Sequence, residues 1–301
     1  MSVPAKPLHL RLPATSANLG PGFDALGLAM AFYLTIDARA GESFGIEAKG
    51  RNADLCGDVE NSLIFKTYSS VLAANGRPVT PLHLDLDNQI PLGMGCGSSA
   101  AALLAGVLLA DFFGELGWTD RQILEEACRR EGHPDNVSAC FLGGMTVSSE
   151  VENRVITATC GRNLTWNLLV AMPSASLATE KARALLPPSY SRVDAVANVQ
   201  NTALLVAAFA LGRGDLLRTA MQDRIHQPYR MEACPLLPRL LPLAGSHGVL
   251  GVALSGAGPS VLLIADSGAA GELPALIRQA AADPDLEILQ TTIAEGAIVQ
   301  K

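Results

Sequence analysis

The chain has 301 residues, 49% hydrophobic and 17% charged, which is enough apolar side chain for a packed core in two domains and rules out a disordered chain. Its net charge of −7 comes from 22 basic against 29 acidic side chains, with no basic run and no interleaving of aromatic with basic residues, so nucleic acid is not an expected partner. Six scattered cysteines form no CxxC pair, which argues against zinc or redox chemistry.

From the N-terminus, residues 1–10 carry Pro4 and Pro7 and lack the apolar core of a signal peptide. Residues 8–12 alternate apolar and polar and predict a strand; 13–23 read as a polar loop punctuated by Gly and Pro. Strands are predicted at 29–38 and 43–49, and a helix at 61–74, where Leu63, Ile64, Thr67, Val71 and Leu72 share a side and Asn75-Gly76 closes the run. Strict alternation over 82–86 predicts a strand with one wet face. A glycine-rich loop, 91–99, opens an Ala/Leu helix reaching about Phe113, and Asp120 is expected to cap a second helix running to about Glu131. The longest apolar run, 100–110, is shorter than the about 20 residues that span a bilayer, so a cytoplasmic chain with no membrane partner is expected. After Gly132-His-Pro-Asp-Asn136, an apolar stretch and the turn Gly143-Gly144, strands resume at 145–149, 155–159 and 168–172. Helices follow near 178–186, 195–211, 215–221 and 236–243, then strands at 249–254 and 260–265 around Gly256-Ala-Gly-Pro259, a helix at 269–281 and a strand at 287–292. The pattern is mixed β/α in two halves, with a boundary expected near 155–165.

The loop is the first chemical signal. Gly93, Gly95 and Gly97 alternate, and glycine permits backbone angles that aim successive N–H groups into one concavity. A helix opening at Ser98 or Ser99 adds unpaired amides and the positive end of its dipole, which together make an anion site. The Lys of a Walker loop is missing, and Ser98 stands where a dinucleotide fingerprint needs Gly, which disfavours a dinucleotide-dependent oxidoreductase. A serine-capped turn with no ligand is the plain alternative.

Pro91-Leu-Gly-Met-Gly-Cys-Gly-Ser-Ser-Ala-Ala101 resembles the phosphate loop of the GHMP kinases, P-x-G-x-G-x-G-S-S-A-A. Pro13-Ala-Thr-Ser-Ala-Asn-Leu-Gly-Pro-Gly-Phe-Asp24 resembles the first motif of that family, in the form used by its homoserine-phosphorylating branch, and Leu254-Ser-Gly-Ala-Gly-Pro-Ser-Val261 resembles the third. Gly132-His-Pro-Asp-Asn-Val137 with Gly143-Gly144 is similar to the branch's substrate segment. The four motifs span residues 13–261 in order. The resemblance implies an α+β GHMP kinase fold: an N-terminal domain (1–160) like ribosomal protein S5 domain 2, which binds ATP, and a C-terminal ferredoxin-like α/β domain (161–301). It implies ATP and Mg2+ as cofactors, L-homoserine as substrate and a homodimer.

The roles implied follow the motifs. Asp24 meets the substrate ammonium, and Asn18 the hydroxyl end or other polar groups. Arg183 and Arg230, helped by Thr179, clamp the carboxylate, the bidentate task for which Arg is suited. His133 and Asn136 contact homoserine, and Asn136 stands where other GHMP kinases place a catalytic Asp; an amide cannot be a general base. Asp135 is a candidate base but also a good helix cap, and the reaction is expected to need no carboxylate base. ATP is assigned to Pro91, Leu92, Gly93, Met94, Gly95, Cys96, Gly97, Ser98, Ser99, Ala100 and Ala101, with Asn61 on the adenine side. Magnesium needs hard oxygen ligands, assigned to Ser99 and Glu131, with Glu125 and Glu126 as substitutes. Arg129 and Arg130 stand where many members carry acids. For each lone charge the bland alternative is a solvated helix face. Two rival readings remain within the fold: a kinase for a mevalonate-type acid, which would leave Asp24 without a task, and a ligand-binding protein without catalysis.

Overall fold

The computed structural model describes residues 6–152, 154–174, 179–269 and 271–301. Its strands are β1 (Leu8–Ala17), β2 (Leu26–Ala40), β3 (Gly45–Gly50), β4 (Leu82–Asn88), β5 (Met145–Val151), β6 (Arg154–Cys160), β7 (Asn167–Met172), β8 (Val249–Leu254), β9 (Val261–Ala265), β10 (Glu287–Thr292) and β11 (Ile298–Gln300). Its helices are α1 (Ala53–Cys56), α2 (Leu63–Ala74), α3 (Ser98–Phe113), α4 (Asp120–Glu131), α5 (Asp135–Leu142), α6 (Thr179–Ala184), α7 (Arg192–Leu211), α8 (Leu217–Ala220), α9 (Gln227–Arg230), α10 (Leu236–Leu240) and α11 (Leu273–Ala281).

The first sheet runs β11-β1-β2-β4-β3, with β5 on β2 and β6 on β5. The length of β2 lets it pair β4 through Leu34–Ala40 and β5 through Leu26–Leu28. In β4 the alternation works as read: Leu82, Leu84 and Leu86 are buried while His83, Asp85 and Asp87 face outward. Helices α2, α3 and α5 pack together with the inner face, and α3 is buried almost along its whole length, which is why it reads as apolar all round.

The second sheet runs β10-β7-β9-β8, antiparallel throughout. With helices between β7 and β8 and between β9 and β10, this is the expected ferredoxin-like order. Successive residues of β7 serve two cores: Leu168 and Val170 join the core shared with the first sheet, while Leu169 and Ala171 pack on the α10–α11 side. That double burial explains the continuous apolar run.

The structure departs from expectation in several places. β1 continues to Ala17, so the first half of the 13–24 motif is strand. Thr119, not Asp120, caps α4: its side chain accepts from Gln122 N and the Gln122 side chain answers, a full capping box. The stretch after Asn136 is a helix, α5. The tail returns to the first sheet, where β11 pairs antiparallel with β1, so a division at 160/161 does not hold for residues 298–300. Among the described residues one helix, α7, is long and apolar enough to cross a membrane. It packs Leu205, Ala208 and Phe209 into the core, and its Asn198 and Thr202 side chains both donate to Pro21 O. Val193, Val196 and Val199 stay exposed.

Candidate active site

Three of the motif segments pack on one another. Gly93, Gly95 and Gly97 all have positive φ, 70°, 75° and 71°. Two of them also lack room for any side chain: a Cβ on Gly97 would lie 1.9 Å from Thr15 Oγ1, and one on Gly95 would lie 2.2 Å from Ser255 O. Thr15 N donates to Cys96 O (3.1 Å), Ser255 Oγ lies 2.7 Å from Gly95 O, and Gly256 N donates to Ala17 O (3.1 Å). Gly97 is the N-cap of α3, so the helix presents its first amides, with the Ser98 and Ser99 hydroxyls, at the wall of a cavity of about 270 Å³. That is an anion cradle.

The acidic wall comes from the end of α4 and the start of α5. Gly132 closes α4 in the left-handed region and turns the chain so that Glu131, His133, Asp135 and Asn136 all line the cavity. Ser99 Oγ donates to Glu131 Oε2 (2.9 Å). Burial pushes the Glu131 carboxyl up, more than the Ser99 hydrogen bond pulls it down. Asp135 is almost fully buried and accepts from Asn136 N (2.7 Å), with His133 Nδ1 2.5 Å away. Burial opposes a charged His133, but the Asp135 hydrogen bond and the charges of Asp135, Glu131 and Asp24 outweigh it and raise the imidazole pKa. Asp24, His133 and Asp135 bring ligand atoms within 4.8 Å of one another, a cluster suited to a cationic group. Asn136 accepts from Thr15 Oγ1 (2.8 Å) through Oδ1, which leaves its amide donors for the cavity.

The opposite wall comes from the C-terminal half. Arg183, on α6, grips Asp24 with two parallel bonds, Nη1 to Oδ2 at 3.0 Å and Nη2 to Oδ1 at 2.6 Å. Arg230 is 1% exposed and donates Nε to Ala182 O (3.2 Å). Burial and, after it, the nearby Arg183 charge lower its pKa. The Phe23 ring lies near both guanidiniums, 5.4 Å from Arg183 and 5.6 Å from Arg230.

The cavity therefore gathers Asn18, Asp24, Gly93, Gly95, Gly97, Ser98, Ser99, Glu131, His133, Asn136, Arg183 and Arg230 from the expected set. Others sit differently. Asn61 is exposed and bonded to Asp58, away from the cavity, because α2 opens on Ser62. Pro91, Cys96, Ala100 and Ala101 are buried in protein and shape the loop from behind; burial lifts the Cys96 thiol to about 12 and leaves it inert. Leu92 and Met94 flank the loop without lining the cavity. Asn18 spends its amide on protein, donating to Gly256 O (2.9 Å) and accepting from Asp24 N (3.0 Å), so it shapes the left-handed turn carrying Asp24 more than it offers a free hydroxyl partner. Thr179 opens α6, but its side chain lies outside the described residues. Glu126 is held by Arg129 and Arg130 and Glu125 faces Arg121, so of these three glutamates Glu131 is the one that lines the cavity. The sequence reading gave no role to Phe23, Thr15 or Gly256–Gly258, although all lie inside motifs it quoted.

Comparisons with known proteins identify the family. Residues 62–144 match the family described as GHMP kinases N terminal domain, and residues 205–280 match GHMP kinases C terminal. The chain is 47% identical over 262 residues to the homoserine kinase of Solibacter usitatus, covering 86% of each chain. It is 41% identical over 261 residues to that of Desulfitobacterium hafniense, covering 86% of this chain and 88% of the relative. Its fold matches the crystal structure of homoserine kinase from Cytophaga hutchinsonii with a TM-score of 0.83 at 24% identity, covering 100% of this chain and 99% of the other.

Proposed function

The chain belongs to the GHMP kinases, and within them to the homoserine kinases, and from that premise we propose that its cleft transfers the γ-phosphoryl group of ATP to the hydroxyl of L-homoserine, giving ADP and O-phospho-L-homoserine for threonine biosynthesis. The observation that carries the reading is one cavity holding both an anion cradle at the mouth of α3 and a pair of opposite charges, Asp24 and Arg183, that mirrors the charges of an amino acid.

The triphosphate lies against the amides of Gly95 to Ser99, where the helix dipole favours negative charge. Ser99 Oγ and the Glu131 carboxylate are hard oxygen donors already 2.9 Å apart, and the buried carboxylate gains from a cation, so together they fit magnesium. When bound, the ion neutralises charge on the phosphate oxygens. The substrate ammonium takes the place of the Arg183 guanidinium at Asp24, beside Asp135. Freed, Arg183 joins Arg230 on the substrate carboxylate. Substrate entry therefore exchanges one ion pair for two, which keeps charge compensated throughout. Asn136 donates toward the hydroxyl end. As the hydroxyl oxygen bonds to the γ-phosphorus and the bond to the β-phosphate oxygen breaks, the hydroxyl proton passes to a phosphate oxygen or water, because Asn136 cannot accept it and Asp135 is tied to His133. A cytoplasmic homodimer is the setting that the family resemblance implies.

The test is ADP release with L-homoserine, L-serine, L-threonine and mevalonate as acceptors. L-homoserine should give the highest kcat/KM by far. Preference for mevalonate would move the chain to another alcohol, and no turnover with any acceptor would leave only ligand binding.

A further inference from the structure

One buried side chain ties the two walls of the cleft together. His226, immediately before α9, is 0% exposed. Its Nε2 lies 2.7 Å from Gly20 O, and a carbonyl only accepts, so Nε2 carries the proton. The other ring nitrogen, Nδ1, then holds a lone pair and accepts from Arg230 Nη1 at 3.1 Å. Burial keeps the ring neutral, holding its pKa below the usual imidazole value against the pull of Asp223. Asp223 Oδ2 is itself occupied, accepting from His226 N (2.9 Å) and Gln227 N (2.6 Å). A hydrogen-bonded line thus runs from the loop at Gly20, in the N-terminal half, through the imidazole to Arg230, in the C-terminal half. Phe23 lies against the same ring, with centroids 5.4 Å apart.

We propose that His226 is a positioning residue: as its Nε2–H tautomer it sets the distance between the first-motif loop, which carries Asp24, and the guanidinium of Arg230, and so the spacing at which the cleft accepts an ammonium and a carboxylate. The proposal rests on the reading of Arg230 as a carboxylate clamp. Leu in place of His226 leaves the buried Arg230 Nη1 without its imidazole acceptor and Gly20 O without the His226 donor, while Arg230 Nε keeps Ala182 O; Gln keeps one donor and one acceptor.

The experiment compares wild type, His226→Leu, His226→Gln and His226→Asn on L-homoserine and on 3-aminopropan-1-ol, which keeps the ammonium and hydroxyl but has no carboxylate. For His226→Leu, kcat/KM with L-homoserine should fall about 10–100-fold, mainly through KM, while that with the amino alcohol changes less than about threefold and KM for ATP less than about twofold. His226→Gln should recover most of the loss. Equal losses on both acceptors, a parallel rise in KM for ATP, or no loss at all would overturn the proposal. Should His226→Leu fail to fold, the two amides decide: Asn is too short to span Gly20 and Arg230 and should resemble the predicted Leu phenotype, and identical kinetics for Asn and Gln would overturn it. Wild type inert toward L-homoserine would instead remove the kinase reading, and the proposal with it, before any variant is compared.

Discussion

Asp24 and Arg183 are 159 residues apart in sequence and bonded twice in space. Each is an expected substrate contact, yet each satisfies the other when no amino acid is present. Asp24→Ala removes a charge-assisted contact worth roughly 1.5–3 kcal/mol, so KM for L-homoserine should rise about 10–150-fold. KM for ATP should stay within about twofold, and an equal loss of both would remove the ammonium role. Glu131 makes a second prediction at this scale. Burial raises its carboxyl pKa, so the folded state favours the protonated form and loses stability as pH rises past about 4.5 toward the folded value. Glu131→Gln should therefore raise the melting temperature at neutral pH while increasing the magnesium concentration needed for activity, a trade between stability and function. His133 shows the same pH direction with the charged form favoured instead of the neutral one. Its pKa is raised, so its contribution is fully present below about 6.5 and is lost as pH climbs through the folded value. Thermal melts between about pH 6 and 9 should show a decline in wild type that His133→Gln flattens; parallel curves would remove the His133–Asp135 pair as its source.

At the scale of elements, the phosphate loop and α3 form one device whose glycines are fixed by contact as well as by φ. Gly95→Ala sets a Cβ against the Ser255 backbone carbonyl, which cannot step aside as a side chain would. Its kcat/KM for ATP should fall at least about 100-fold, the scale at which a misplacement of about 1 Å acts on catalysis. The α4 cap is a control for that claim, because it lies at the far end of the helix from Glu131. Thr119→Ala should cost about 1 kcal/mol and lower the melting temperature by roughly 2–4 °C while leaving both KM values unchanged. The motif at 91–101 was legible because its residues are contiguous and its glycines spaced for one task. Asn61 is assigned from its place at a helix start, and the structure adds that Ser62 supplies the cap of α2 while Asn61 folds back onto Asp58.

Across the whole molecule, the two sheets share a core and the tail joins the second sheet back to the first. The chain leaves β10 in the second sheet and ends as β11 on the edge of the first, paired with β1, the strand that leads into the Asp24 loop. Removing residues 298–301 should expose the β1 edge, lower the melting temperature and promote self-association, seen by light scattering. A truncated chain as stable and monodisperse as the full one would show that β11 is dispensable.

The sequence by itself determined the phosphate loop, the four motifs in order, the strand alternation of β4 and the two α/β halves, because each is written in neighbouring residues through backbone angles, periodicity and spacing. Only the tertiary structure decided which partner each isolated polar side chain meets. Glu131 meets Ser99 while Glu126 is consumed by Arg129 and Arg130, and His226 reaches Gly20 across 206 residues. Those choices depend on which side chains the folded backbone brings within hydrogen-bonding reach, and a pairing across that much chain leaves no local trace in the sequence.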